Sequence, residues 1–198
     1  MLLKRALCLI FSGWLLTVVS GSAQAATYQV DPDHTSVSFK IRHLFSNVQG
    51  NFKTFEGVIE YEPGKPEAWS LSGTIDAASI DTNVPARDKH LQSADFFEVE
   101  KYPKIEFKTT GIEEATATSC KLTGLLKMHG VEKPVTLDVE IHGVGNDPWG
   151  NVRAGFTATT KLSRKDFGLT WNKALETGQL LVGEEVVITI EAEGILKQ

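Results

Sequence analysis

The sequence predicts an all-β protein, an eight-stranded antiparallel β-barrel with one or two short helices. Apolar and polar residues alternate in eight separate series, the period of a half-buried strand. Turn signals such as Pro63-Gly64 and His129-Gly130 separate several of these series. The sequence lacks the long spacing of strand–helix–strand units, which argues against a parallel sheet. Antiparallel strands of this length close well into a barrel. A two-sheet sandwich has the same periodicity, so both geometries stay open at this point.

A single acidic domain accounts for the composition of the chain. Of its 198 residues, 41% are hydrophobic and 23% are charged, which suffices for a sizeable core and argues against disorder. The formal net charge is −5, and it becomes −7 when Lys4 and Arg5 are set aside. An acidic chain repels the phosphate backbones of nucleic acids, so we expect no nucleic-acid partner.

Residues 1–25 have the pattern of a secretory signal peptide. Lys4-Arg5 precede a mostly apolar stretch from Ala6 to Val19, and Ala23-Gln24-Ala25 forms an A-x-A cleavage site. A helix over that stretch is about 21 Å long, short of the ~30 Å hydrocarbon core of a bilayer. We therefore expect cleavage after Ala25, no stable membrane insertion, and a mature domain of residues 26–198 in a bacterial periplasm.

Removal of the signal peptide leaves the mature chain with one cysteine. Cys8 lies within residues 1–25, so Cys120 remains without a partner for an internal disulfide. Cys120 belongs to an alternating series, and we interpret it as a small core residue on a strand.

The eight alternating series follow one another along the mature chain. In each, every second residue is apolar or small and its neighbours are mostly polar, so one face of each strand is expected to be buried. The residues on the inward parity, in chain order, are Val37, Phe39, Ile41 and His43; Phe55, Gly57, Ile59 and Tyr61; Trp69, Leu71, Gly73, Ile75 and Ala77; Ile105, Phe107 and Thr109; Cys120, Leu122, Gly124, Leu126 and Met128; Val135, Leu137, Val139 and Ile141; Ala154, Phe156, Ala158, Thr160 and Leu162; and Val186, Ile188, Ile190 and Ala192.

Some inward positions carry very small residues. Gly57, Gly73, Gly124, Ala154 and Ala158 either leave room for a ligand chain or permit the curvature of a barrel. The sequence does not choose between these two roles.

Two stretches interrupt the period of two. Residues 83–97 indicate a short helix with Pro85 near its first turn, and residues 163–178 indicate a loop with a helical turn. The aromatic residues outside the strands either cap a barrel mouth or plug a barrel end, and plugging is favoured for any one of them. They are Phe96, Phe97, Trp149 and Trp171.

Catalytic and metal-binding motifs are missing from the sequence. None of the common hydrolase, phosphate-loop, dinucleotide or zinc patterns occurs, and no two histidines have ligand spacing. We therefore predict no catalytic residue and no metal site.

Basic residues offer candidate contacts for a polar ligand head. Arg87 and His90 belong to a charged run that forms either a solvated helix face or a polar lip at a barrel mouth. His43 has inward parity, which suits a ligand contact or a core histidine satisfied by one hydrogen bond. Arg153, Arg164 and Lys165 admit the same two kinds of interpretation, with less support.

Six stretches of the mature chain resemble the YceI-like family of bacterial polyisoprenoid-binding proteins. The segments RDKHL…ADFF and RKDFGLTWNKALETG are the most specific. The matching stretches are DPDHTSVSFKIRHL (31–44), NVQGNFKTFEG (47–57), IDTNVPARDKHLQSADFFEVEKYP (80–103), LTGLLKMHGVEKPV (122–135), DPWGNVRAGFTATTKLSRKDFGLTWNKALETG (147–178) and VGEEVVITIE (182–191).

This resemblance implies a lipocalin-like, up-and-down barrel with a long apolar lumen. It implies a polyisoprenoid, an isoprenoid quinone or a similar long-chain amphiphile as ligand, no other cofactor, no enzymatic activity, and dimers in some members. On this basis Arg87, His90 and His43 are candidate head-group contacts. The predicted lumen contacts are Val37, Phe39, Ile41, Phe107, Leu122, Leu126, Leu137, Val139, Phe156, Ile188 and Ile190.

Two other functions remain as alternatives. The first is an enzyme that acts on an isoprenoid lipid, for which Arg87, Asp88, His90 and His43 are the candidate polar groups. The second is a stress-related or interaction protein whose barrel is filled by its own side chains. The three functions differ in whether lipid accompanies the native protein and whether it is turned over.

Overall fold

The computed structural model describes residues 25–176 and 178–197. The predicted signal peptide, residues 1–25, therefore lies outside the described residues except for Ala25. Eleven strands and one α-helix are assigned within the described ranges. They are β1 (Ala26–Val30), β2 (Ser36–His43), β3 (Ser46–Phe52), β4 (Phe55–Tyr61), β5 (Ser70–Asp76), β6 (Ile80–Asp81), α1 (Pro85–Gln92), β7 (Lys104–Glu113), β8 (Ser119–Met128), β9 (Val131–Asn146), β10 (Val152–Ser163) and β11 (Val182–Leu196).

The strands form a closed antiparallel barrel with eight positions around the ring. β1, β4, β5, β7, β8, β9, β10 and β11 pair in that order, and β11 pairs back with β1. β2, β3 and β6 extend the first three positions, because β2 pairs with β11 and β3, and β6 pairs with β3. Neighbours in the ring are neighbours along the chain, which is the up-and-down order. The predicted eight-stranded barrel is confirmed, and the sandwich is excluded.

The first and last strands close the ring. β11 pairs with β2 from Val182 to Glu191 and with β1 from Gly194 to Leu196. On its other edge it pairs with β10 over eleven residues. β11 therefore has partners on both sides, so the barrel leaves it no free edge to pair with other chains.

Each of the eight predicted series lies on one barrel position, but β1, β3 and β6 were not predicted. β3 has few apolar residues, and its inward position Gly50 lies where the ring of Phe39 fills the space. A β-carbon on Gly50 would lie 2.5 Å from Phe39 Cζ, so the close approach of that ring favours glycine there. The missing side chain hides the alternation that would have indicated a strand.

The helix is shorter than the stretch 83–97 indicated. α1 begins at Pro85, where proline suits the first turn, and ends at Gln92. The following residues, through Tyr102, form a series of backbone-bonded turns. In the second irregular stretch, residues Arg164–Phe167 form a 3₁₀ turn that Gly168 ends with a φ of 78°. Both predicted helical turns are therefore present.

The buried hydrophobic residues line the inside of the barrel in two clusters. The larger one surrounds Tyr61, Trp69, Leu137 and Phe156, and the smaller one surrounds Phe52 and Ile80 near α1. Cys120 lies on β8, buried and free, as the sequence predicted. None of the described helices has the length and hydrophobicity to cross a bilayer.

Candidate functional site

The inner faces of the strands enclose two adjacent chambers. The first, which we call the strand chamber, has a volume of about 210 Å³ and is lined by β4, β5 and β7 to β11 together with Val37 and Phe52. The second, the helix-end chamber, has a volume of about 430 Å³ and is lined by α1, β2 and the loops around Arg164 and Trp171. Phe52, Met128, Leu162 and Ile188 line both. The chambers thus follow one another along the barrel axis.

The walls of both chambers are almost entirely apolar, because the inward parity of each strand faces them. All eleven predicted lumen residues lie on these walls. Ile188 lines both chambers, while Phe39 and Ile41 line the helix-end chamber. The others line the strand chamber: Val37, Phe107, Leu122, Leu126, Leu137, Val139, Phe156 and Ile190. That these side chains contact a ligand stays a prediction.

Aromatic side chains pack at the end of the strand chamber that lies away from α1. The ring of Tyr61 lies 5.0 Å from that of Trp69 and 5.2 Å from that of Phe156. Trp69 Nε1 donates a 2.6 Å hydrogen bond to the carbonyl of Glu62. Burial raises the pKa of Tyr61, and neighbouring groups add to the effect, so its hydroxyl stays protonated at neutral pH. This end therefore offers a ligand mainly aromatic rings.

Polar groups enter the lumen at the opposite end. Arg87 and His90, one helical turn apart on α1, both line the helix-end chamber, as does His43 at the end of β2. The structure therefore brings the three predicted head-group residues to one chamber, although the sequence separates them by up to 47 positions. Their contact with a ligand head stays a prediction.

The start of α1 is held by a buried threonine. Arg87 Nε donates to Thr82 Oγ1 at 2.7 Å, and Arg87 Nη2 donates to the Thr82 carbonyl at 2.8 Å. Asp88 accepts hydrogen bonds from both the backbone and the hydroxyl of Thr82. Within the described ranges no carboxylate lies within 4.0 Å of the Arg87 guanidinium. Arg87 is therefore positioned by neutral groups and keeps its charge available to the chamber.

His90 is fixed by aromatic rings and an acid. Its Nε2 lies 2.8 Å from Asp95 Oδ2, and its ring packs edge-on against Phe96 and Trp171 at 5.1 and 4.9 Å. Phe96, Phe97 and Trp171 all line the helix-end chamber. Three of the four aromatics singled out from the sequence thus form one wall. Trp149 does not: it is 78% exposed on the turn between β9 and β10, so it plugs neither end.

Arg164, for which the sequence offered less support, is a buried polar residue in the wall of the helix-end chamber. It is 4% exposed, and its guanidinium donates to the carbonyls of Gly183, Leu169 and Trp171 at 2.8, 2.5 and 2.8 Å. Its Nη2 is buried and has no hydrogen-bond partner. Burial lowers the pKa of Arg164, and the charge of Glu184 acts in the opposite direction. An unmet buried donor costs about 1–3 kcal/mol, which makes this atom a candidate contact.

The two other basic residues that the sequence grouped with Arg164 form ion pairs outside the helix-end chamber. Arg153 lies at the opposite end of the barrel and pairs with Asp31, Asp147 and Glu193 at 2.6, 2.8 and 3.0 Å. Lys165 pairs with Glu184 at the surface. Three carboxylates already neutralise Arg153, so the interpretation of that residue as an anion contact is wrong.

The described residues of this site do not form a cluster of metal ligands. Within residues 25–176 and 178–197, no three His, Cys, Asp or Glu side chains are close enough together to hold a metal ion. The helix-end chamber is lined by two arginines and two histidines among apolar side chains, a set suited to binding an acceptor. The geometry therefore describes a ligand pocket with an apolar body and a basic end.

Comparison with proteins of known sequence finds close relatives along most of the chain. The UPF0312 protein of Pseudomonas putida strain GB-1 is 42% identical over 171 residues, covering 85% of this chain and 88% of the relative. Protein YceI of Salmonella agona is 40% identical over 195 residues, covering 97% of both chains.

Solved structures share the barrel. A Campylobacter jejuni YCEI protein superposes with a TM-score of 0.68 at 36% identity, covering 80% of this chain and 91% of the other. Burkholderia cenocepacia BcnA reaches a TM-score of 0.74 at 24% identity, covering 83% and 98%. A polyisoprenoid binding domain from Saccharophagus degradans reaches 0.66 at 12% identity, covering 88% and 100%. The last two likenesses concern the fold alone.

The comparison with family models covers nearly the whole barrel, including the strands that line both chambers. The YceI-like domain matches residues 28–194, which include every strand from β2 to β10 and most of β1 and β11. Given this match and the relatives above, the chain belongs to the YceI-like family.

Proposed function

We propose that this protein binds a long-chain isoprenoid lipid, a polyisoprenoid or an isoprenoid quinone, inside its barrel in the periplasm, for transport, storage or a stress response. The observation that carries the proposal is the pair of apolar chambers that follow one another along the barrel and end at a basic wall. A long apolar chain with one polar end has the matching distribution of polarity. The name of the Saccharophagus degradans domain supports this ligand class.

The energetics favour a carrier that exchanges lipid with membranes. Burial of one five-carbon isoprene unit from water is worth about 4 kcal/mol at ~0.8 kcal/mol per CH₂. Eight units would exceed the practical limit of non-covalent affinity, about 18–21 kcal/mol. Water is therefore the wrong reference state, because such a lipid arrives from a bilayer where it is already out of water. Transfer from bilayer to barrel is nearly balanced, which permits both loading and release.

We further propose that the protein acts without catalysis. The relatives and structures described above carry no enzyme's name, and the candidate polar groups are bound to neighbours rather than arranged as a nucleophile with its base. Neither a nucleic-acid partner nor stable membrane insertion is part of the proposal. A homodimer remains compatible with it.

The test is native mass spectrometry of protein isolated from its own periplasm, followed by extraction and mass analysis of the lipid. We expect a protein mass corresponding to residues 26–198 with one long-chain isoprenoid bound. Bare protein in native material would contradict the proposal and favour a barrel filled by its own side chains. Turnover of the extracted lipid by the purified protein would instead favour the enzyme.

A matched pair of variants tests the lumen. Leu126 lines the strand chamber, whereas its neighbour Leu125 faces outward and is 38% exposed. We expect Leu126→Glu to lose the co-purifying lipid, because a carboxylate in an apolar chamber is strongly disfavoured. Leu125→Glu, the control, should keep it. Circular dichroism verifies folding, and a folded Leu126→Glu protein that still carries lipid would contradict binding in the lumen.

A further inference from the structure

The helix-end chamber has basic side chains on its wall but no acidic ones. Arg87, Arg164, His43 and His90 line it, and none of its lining residues is an aspartate or glutamate. Asp95 accounts for His90, at 2.8 Å from Nε2. The two arginines have no carboxylate within 4.0 Å among the residues that the structure describes. The wall therefore carries positive charge for which the described residues provide no direct partner.

Arg164 is the most constrained of these cations. Three backbone carbonyls hold Nε and Nη1, so the guanidinium is fixed in place before any ligand arrives. Nη2 is shielded from solvent and makes no hydrogen bond. The nearby carboxylate of Glu184 is paired with Lys165 at the protein surface. The site thus has a pre-positioned cation that lacks one acceptor and one negative charge.

We propose that the helix-end chamber binds an acidic head group, a phosphate or a carboxylate, and that Arg164 is its anchoring residue. Arg87 provides a second positive charge at the side of α1. This inference rests on the proposed function, since the chain attached to that head group occupies the strand chamber. It narrows the ligand class from isoprenoid lipids in general to acidic ones.

Charge distinguishes an acidic head group from a neutral one. A quinone carbonyl or an alcohol would accept the hydrogen bond of Nη2 but would leave the buried cation without a counter-ion. An anionic oxygen supplies both, and a charge-assisted hydrogen bond is about twice as strong as a neutral one. Because Nη2 is covered by protein, the ligand oxygen reaches it after a neighbouring wall side chain shifts. Trp171 is half-buried, lines the chamber and adjoins the guanidinium through its own carbonyl.

Three probes with the same chain test the inference on delipidated full-length mature protein. They are farnesyl phosphate, farnesoic acid and farnesol, with affinities measured by calorimetry. We expect farnesol to bind at least tenfold more weakly than the tighter of the two acids. The ranking of phosphate and carboxylate identifies which acidic head group the chamber prefers.

The variants Arg164→Gln and Lys161→Gln form a matched pair. Both remove one positive charge at the same end of the barrel, but Lys161 is exposed, pairs with Glu185 and does not line the chamber. We expect Arg164→Gln to weaken binding of the preferred acid at least tenfold while leaving farnesol unchanged. Lys161→Gln should change neither. A loss of equal size for acid and alcohol in Arg164→Gln would reduce Arg164 to a structural residue and overturn its role as anchor.

Two further results separate this inference from the proposed function. Equal affinity of the wild-type protein for farnesol and both acids would overturn the inference and leave lipid binding in place. Binding of none of the three probes would overturn the proposed function itself. If Arg164→Gln fails to fold, the ratio of acid affinity to farnesol affinity in the wild-type protein still decides.

Discussion

At the scale of single residues, Arg153 organises the barrel end opposite α1. It pairs with Asp31, Asp147 and Glu193. Asp31 follows β1, Asp147 follows β9 and Glu193 lies in β11. Hydrogen bonds from Arg153 and then Asn151 hold the pKa of Asp147 far below its usual range. Burial alone would raise the pKa of Asp31, but hydrogen bonds from Arg153 and His34 outweigh it and the pKa is lowered. Both carboxylates are therefore more acidic in the folded protein.

These lowered pKa values predict acid-sensitive stability. A carboxyl group with a depressed folded pKa stabilises the fold above its unfolded value, about 4, and loses that contribution as pH falls toward the folded value. We expect Arg153→Gln to lower Tm most at neutral pH, with the difference from wild type shrinking steadily below about pH 4. Thermal unfolding from pH 7 to pH 2 measures this.

Lys161→Gln provides the control for that titration. Lys161 and Glu185 form a pair 3.3 Å apart in which both side chains are more than 60% exposed. An exposed pair contributes little to stability, so its removal should change Tm only slightly at every pH. A Tm difference for Arg153→Gln that stays constant down to pH 2 would contradict the assigned role of the cluster.

Two residues at the helix end show where sequence patterns stop being informative. His43 was placed inward by its parity in β2, and it does line a chamber. Arg164 lies in a 3₁₀ turn, where no period exists, and its three carbonyl partners come from residues 5 to 19 positions away. Its burial follows from the packing of loops, which a local pattern does not encode.

At the scale of elements, glycine positions in the strands have separate roles. On β8, a β-carbon at Gly124 would lie 2.3 Å from Phe107 Cζ and 2.6 Å from the carbonyl of Lys108. The ring of Phe107 therefore fills the space, and Gly124 does not leave room for a ligand chain. At Gly73 on β5 the closest atom is the carbonyl of Glu56 at 3.4 Å, an ordinary contact. Gly124 therefore permits close packing inside the barrel, whereas Gly73 leaves space on the inner face.

Substitution of Gly124 should destabilise the barrel. We expect Gly124→Ala to lower the free energy of unfolding by about 1–3 kcal/mol, because the backbone oxygen of Lys108 lacks the freedom to move away. Chemical denaturation measures the change. Gly111→Ala on the paired strand is the control, since a β-carbon there meets nothing within 4 Å. Equal stabilities for the two variants would show that the Gly124 site relaxes without strain.

The strand elements themselves were mostly predictable. The inward series on β7 to β11 appear in the structure with the expected parity, because a period of two is a local property of extended chain. The turn at His129 and Gly130, with φ values of 51° and 76°, suits a two-residue hairpin. β3 was not predicted because its inward position Gly50 has no side chain, and the ring of Phe39 occupies that space instead.

At the scale of the whole molecule, the proposed binding of a lipid in the two chambers would couple ligand affinity to the stability of the fold. A lipid that fills both chambers binds only the closed barrel and so stabilises the folded state by mass action. At a ligand concentration 100 times Kd the gain is about 2.7 kcal/mol, which corresponds to about 5–10 °C in Tm for a domain of this size.

Delipidation should therefore lower Tm by that amount. Scanning calorimetry of native and solvent-extracted wild-type protein measures the difference. The Leu126→Glu variant is the control, since its preparation carries no lipid and extraction should leave its Tm unchanged. An identical Tm before and after extraction of a bound lipid would contradict binding in the barrel core.

Local sequence patterns predict the all-β class, the eight inward faces, the short helix that begins at Pro85 and the motifs of the family. These features depend on neighbouring residues, through the hydrophobic period, the residues favoured in turns and short sequence motifs. The tertiary structure decided that the sheet closes, because closure requires β11 to pair with β1 and β2, at least 139 residues away in sequence. It also decided that Arg87, His90, His43 and Arg164 line one chamber while Arg153 lies at the other end. Long-range strand pairing sets which loops meet, and no local pattern records that pairing.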